Sequence, residues 1–144
     1  MSLRHGLEIR AAQPSDAPAL AELLGAAPSL AQRIQALRAA SGTILLALEW
    51  GPPSGVIALH WHPTLTDDQP VAHISTFLVA ADARRRGIGR LLVKAAAQSA
   101  RAAGCARLTL STPHAAEDLH LFCIATGFTQ HDETAFSRNL RRSG

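Results

Sequence analysis

One stretch constrains the fold of this chain more than any other. Phe77-Leu78-Val79 ends an apolar run, Ala80 to Arg86 turns small and then basic, and Gly87-Ile88-Gly89-Arg90-Leu91-Leu92 begins a segment of helical period. That order demands a strand, a basic glycine-bearing turn and a helix. The near-continuous apolar end of the strand predicts burial on both faces. The first N–H groups of the helix have no intrahelical partners and lie at the positive end of its dipole. Glycines there let a ligand approach the backbone closely. The product is a nest for phosphate or pyrophosphate. Arg84, Arg85, Arg86, Arg90 and Lys94, the only lysine, surround it with charge. A Walker loop is absent, and a dinucleotide fingerprint fails because its third glycine position is Leu92.

The remaining chain alternates period around this unit. Leu7 to Ala11 reads as a first strand. Ser15 or Asp16 can cap a helix whose apolar positions are Ala19, Leu20, Leu23 and Leu24, ended by Gly25. A second helix spans about Ser29 to Ala40, with Gly42 closing it. Thr43 to Glu49 and Val56 to His62 form a hairpin across Gly51-Pro52-Pro53-Ser54-Gly55. Val71 to Val79 is a strand, Gly87 to Ala103 a helix stopped by Gly104, and Ala106 to Ser111 a strand. Ala116 to Thr126 is a helix ending at Gly127. Phe128 to Asp132 and Thr134 to Leu140 read as a closing pair of strands. The expectation is one α/β domain over residues 1–144, around a twisted sheet.

Composition narrows the class. The 144 residues are 47% hydrophobic and 17% charged, which supports one packed core and argues against disorder. No apolar run is long enough for a membrane helix, and the first residues do not read as a secretory signal. Two cysteines, Cys105 and Cys123, are too few for a disulfide framework. The expected setting is the cytoplasm. The net charge of +3 is concentrated beside glycines, which favours a compact phosphate-bearing ligand over nucleic acid. Richness in alanine and arginine suggests a bacterial source.

Arg84-Arg85-Arg86-Gly87-Ile88-Gly89 resembles the acetyl-CoA-binding signature of the GNAT family of N-acetyltransferases, Arg/Gln-x-x-Gly-x-Gly/Ala. Gly104 to Leu110 resembles the strand that follows the signature helix. Leu119-His120-Leu121-Phe122-Cys123-Ile124-Ala125-Thr126-Gly127-Phe128 is similar to the family's Ala-His-x-Phe-Tyr-x-x-x-Gly-Phe segment, and Phe136 to Leu140 to its last strand. The resemblance implies a mixed, mostly antiparallel sheet flanked by about four helices. It also implies a splayed parallel strand pair at a cofactor cleft. The implied activity is acetyl transfer from acetyl-CoA to a primary amine by direct attack. Backbone groups of Phe77, Leu78 and Val79 would hold the pantetheine arm. Arg84, Arg85, Arg86, Gly87, Ile88, Gly89 and Arg90 would hold the pyrophosphate.

Direct attack needs a group that removes a proton from the amine. The family often places a glutamate on the strand before the signature, where this chain carries His73 or Ser75. His73, with an ordinary pKa near 6.5, is the better base. By period two, His73, Ser75, Phe77 and Val79 share one face. The family's tyrosine acid is replaced by Cys123, and the chain has no tyrosine at all. Cys123 reads as a helix-packing residue, a weak acid or part of the cofactor site. A catalytically weakened CoA-binding sensor on the same fold is therefore the alternative to an enzyme.

His60 and His62 lie on the strand beside His73. His-x-His without a further ligand is a weak zinc signal, and no metal is expected. Asp67 and Asp68, or Asp132 and Glu133, could attract a cationic amine, although such loop residues are usually only solvated. No membrane or nucleic-acid partner is expected. A homodimer through the terminal strands stays open.

Overall fold

The computed structural model describes every residue except 1, 5, 26–27, 85, 113–115 and 142–144. The chain divides into two compact units, Met1–Ser111 and Thr112–Gly144. The first holds β1 (Ser2–Arg4), β2 (Leu7–Ala11), α1 (Ala17–Leu24), α2 (Leu30–Ala39), β3 (Gly42–Leu48), β4 (Gly55–His62), β5 (Val71–Val79), α3 (Ile88–Ala102) and β6 (Arg107–Leu110). The second holds α4 (Glu117–Ala125).

The strands lie in one sheet in sequence order, β1 to β6. Every neighbouring pair from β1 to β5 is antiparallel, and β5 with β6 is parallel. The mixed sheet, the four α-helices and the parallel pair agree with the expected architecture. No helix among the described residues is long and apolar enough to cross a membrane.

Two apolar layers follow from the alternation of β3 and β4. Ile44 and Leu46 pair with Ala58 and Val56. Their face joins Leu20 of α1 and Ile34 of α2 in one buried cluster. The opposite face carries Leu45, Ala47, Ile57 and Leu59, all buried. It is covered by α3, whose Ile88, Leu92, Val93, Ala96 and Ala100 recur at helical spacing. Gly55 marks the closest approach: a Cβ there would stand 2.9 Å from Leu92 Cδ1.

The strands buried on both faces are thus β3 and β4. Phe77, Leu78 and Val79, expected to be so, are only half-buried. Helix ends also differ in detail. Asp16 stands at the N-cap of α1, as expected, but its side chain makes no capping hydrogen bond there; its carboxylate accepts the backbone N–H of Gln13 at 2.7 Å and pairs with Arg10. Gly25 and Gly104 end their helices with positive φ, as expected. Ala40, not Gly42, caps α2, and Gly42 already belongs to β3.

The expected closing strands, Phe128 to Asp132 and Thr134 to Leu140, carry no strand in the structure. Those segments offer few apolar residues. Strand formation depends on the neighbouring strand more than on local composition.

Candidate active site

The site grows from an irregularity in β5. Ala58 pairs with Thr76, but the next residue of β4, Leu59, pairs with Ile74. Ser75 is the extra residue of a β-bulge, which bends a strand and re-aims its side chains. Ala58 and His60 share one face of β4, and their partners are Thr76 and His73. His73 therefore shares its face with Thr76 and Leu78. Strict period two, which placed it with Ser75, Phe77 and Val79, fails at the bulge. Ser75 is exposed.

The bulge is also where β5 and β6 part. Their parallel pairing runs from Val71–Arg107 through Ala72–Leu108 and His73–Thr109 to Ile74–Leu110. β6 then ends, while β5 continues to Val79. Past Val79 a single 3₁₀ turn, Ala81–Ala83, leads to the start of α3. Beyond Ile74, β5 thus continues past the end of β6 and leads to a helix N-terminus.

That N-terminus suits an anion. Gly87 caps α3 at φ 82°, a conformation that side chains disfavour, and no side chain caps the helix. Its leading N–H groups are not engaged by a capping residue. Ile88 is buried in the core, so only its backbone can serve a ligand. Arg84 Nε donates to the Val79 carbonyl at 3.3 Å, joining the turn to the end of β5. Arg85 lies outside the described residues.

The Arg86 side chain has a protein partner. Its guanidinium forks onto Glu49, at 2.8 Å to Oε2 and 2.7 Å to Oε1. Ser54 Oγ donates to the same carboxylate at 2.9 Å. The hydrogen bond from Arg86, then that from Ser54, holds the Glu49 carboxyl below its ordinary range. The arginine nearest Gly87 thus fastens the turn to the β3–β4 hairpin. It borders a cavity of about 360 Å³ that is also lined by Glu22, Trp50 and Asp82.

Where β5 and β6 still pair, three imidazoles meet. His73 and His60 are cross-strand partners. Their rings meet edge to face at 5.5 Å, and His62 stacks on His60 at 6.1 Å. His73 Nδ1 lies 2.7 Å from Thr109 Oγ1. Burial, reinforced by the charges His60 and His62 can carry, pushes the His73 pKa below its ordinary 6.5. The ring is consequently neutral at neutral pH and able to take a proton. Among the described residues, no group of three histidine, cysteine or carboxylate side chains is arranged to hold a metal ion.

Cys123 lies on α4, in the second unit, and burial raises its thiol pKa. Asp67 is committed to Arg107 at 3.2 Å and to the Thr64 hydroxyl at 2.6 Å, so it is not a solvated lure for an amine. Sequence reasoning missed Glu49 and Thr109. Glu49 is far along the chain from Arg86, and only folding joins them. Thr109 was visible as a strand residue, but its place beside His73 depends on the parallel register.

The sequence profile of the Acetyltransferase (GNAT) family matches residues 9–123. The chain belongs to the GNAT acetyltransferase family. A protein from Agrobacterium tumefaciens str. C58 assigned to the acetyltransferases is 30% identical, with a TM-score of 0.81 over 92% of this chain and 99% of that one. Two more distant structures share the GNAT fold. AAC(6')-Iy, solved with the bisubstrate analogue CoA-S-monomethyl-acetylneamine, is 18% identical, with a TM-score of 0.81 over 92% of this chain and 97% of that one. Glucosamine-6-phosphate N-acetyltransferase from Arabidopsis thaliana is 17% identical, with a TM-score of 0.81 over 94% and 99%. No curated protein matches the chain.

Proposed function

We propose that this GNAT protein is an acetyl-CoA-dependent N-acetyltransferase acting on a primary amine of a small molecule by direct attack. The whole chain would act as one transferase domain, in the bacterial cytoplasm. The observation that carries this reading is the parting of β5 from β6 at Ser75, along a strand that leads to the glycine-capped start of α3.

Acetyl-CoA has an amide-bearing arm and a pyrophosphate. An extended arm laid along Phe77 to Val79 would continue the sheet by strand addition. The pyrophosphate would meet the backbone N–H groups from Arg86 to Arg90. Arg84, Arg85 and Arg90 would add charge there, and Arg86, forked onto Glu49, would hold the turn in place. The thioester supplies the activated acetyl group, and the chain binds and orients.

His73 is the candidate base. It stands where β5 and β6 still pair, just ahead of the bulge, with a neutral ring. Cys123 matches the family's acid position only by the resemblance of its segment, and its raised pKa keeps it in the thiol form that a proton donor needs. The amine class follows the neighbours: one is named for an amino sugar phosphate, and another was solved with a CoA-linked neamine.

The test is CoA release from acetyl-CoA across a panel holding sisomicin, glucosamine-6-phosphate, spermidine and free amino acids. Turnover with at least one amine is expected. Acetyl-CoA binding without turnover on the whole panel would instead favour the sensor reading.

A further inference from the structure

Thr109 faces His73 across the parallel ladder, next to the last pair before β5 and β6 separate. Its Oγ1 lies 2.7 Å from His73 Nδ1 and 3.4 Å from the Ala72 carbonyl oxygen. A threonine hydroxyl has one proton and two lone pairs, whereas a carbonyl can only accept. The one assignment that satisfies both contacts directs the hydroxyl proton at Ala72, so that the short contact is an Nδ1–H of His73 donating to Oγ1. A neutral imidazole has one N–H, so Nε2 then keeps its lone pair.

The geometry points to Thr109 as a positioning residue that fixes the neutral His73 ring as its Nδ1–H tautomer, leaving Nε2 as the basic nitrogen. This rests on the reading of His73 as the base. It also deepens that reading, because the opposite tautomer would put the proton on Nε2 and engage Nδ1 with the hydroxyl. Neither nitrogen could then accept a proton from an amine. Free histidine in water favours Nε2–H, so the assignment departs from the default and is informative.

The surroundings of the ring are defined. On this face, β4 carries His60 and His62, β5 carries His73, and β6 carries Thr109 and Arg107. Arg107 is engaged by Asp67. His60 meets the His73 ring edge to face and restricts it from the side opposite Thr109 in the sheet. Between them the two neighbours fix both the orientation and the proton of the ring.

The test is a long-range proton–nitrogen correlation spectrum of the full chain labelled with ¹⁵N-histidine, at about pH 8, where an ordinary imidazole is neutral. His73→Gln assigns the signal. The expected result is a protonated Nδ1 and an unprotonated Nε2 in the wild type. That preference should be lost in Thr109→Val and restored in Thr109→Ser. A wild-type ring protonated on Nε2 would overturn the assignment, and this spectrum decides even if the valine variant fails to fold. An unchanged Nδ1–H tautomer in a folded Thr109→Val protein would also overturn it. The base reading fails separately, if His73→Gln leaves acetyl transfer intact while the tautomer is as expected.

Discussion

Arg86 forks onto Glu49 through two hydrogen bonds of 2.7 and 2.8 Å, so one arginine of the glycine-bearing turn is tied to the β3–β4 hairpin. The Glu49 carboxyl is held below its ordinary 4.5, first by Arg86 and then by Ser54. Its contribution to stability is therefore present above about pH 4.5 and is lost as pH falls through the lowered folded value. Glu49→Gln should lower the melting temperature at pH 7, and the gap to wild type should be narrower at pH near 3, below the ordinary 4.5. Thermal unfolding at both pH values checks this. An equal gap at both would show that the carboxylate charge is not what matters.

The His73 pKa is shifted in the same direction, from a different cause. Burial, then His60 and His62, lowers its pKa, so the unfolded chain binds a proton near pH 6.5 and the folded chain only below that. Stability should consequently fall as pH drops below about 6.5. The acid limb of acetyl transfer should lie below the same value. His73→Gln should remove the limb and lower kcat by roughly 10²- to 10⁴-fold, the usual contribution of a general base. A pH–rate profile that keeps its acid limb in the variant would exclude His73 as the base.

Gly42 tests the packing that supports the histidines. It pairs with His60, and a Cβ on it would come within 2.8 Å of the Leu59 carbonyl oxygen. That atom is backbone and cannot swing aside. Gly42→Ala should destabilise the fold by about 1–3 kcal/mol. Urea unfolding measures it, and an unchanged midpoint would mean that β3 and β4 can separate there without penalty.

Leu46 is fully buried between β3 and the α1–α2 layer. Leu46→Ala should cost about 2–5 kcal/mol, the range for emptying such a site. The same denaturation experiment reads it, and a loss well below that range would mean that the layer collapses onto the gap.

Much of this was legible in the sequence because local signals were strong. Val71 to Val79 combined strand composition with a following glycine-bearing turn, and its boundaries agree with the structure. The helical period beginning at Gly87 and the stop at Gly104 located α3, while its buried face, Ile88, Leu92, Val93, Ala96 and Ala100, is a finding of the structure. What failed depended on partners. The bulge at Ser75 arises from a mismatch of register with Ala58 and Leu59, which period two along one strand cannot reveal. The partnership of Arg86 with Glu49 and that of His73 with Thr109 join distant residues. The closing strands were read from a segment whose own apolar content was too low to define them.

The central claim is that the glycine-capped start of α3 and the edge of β5 together hold acetyl-CoA. The most direct measurement is calorimetric titration of the full chain with acetyl-CoA at low and moderate salt, for wild type, Gly87→Val and Gly89→Leu. The account predicts wild-type binding in the micromolar range, near −8 kcal/mol. It predicts weaker binding at higher salt and loss in both folded variants. Absence of wild-type binding at either salt, or undiminished binding by both variants, would contradict it.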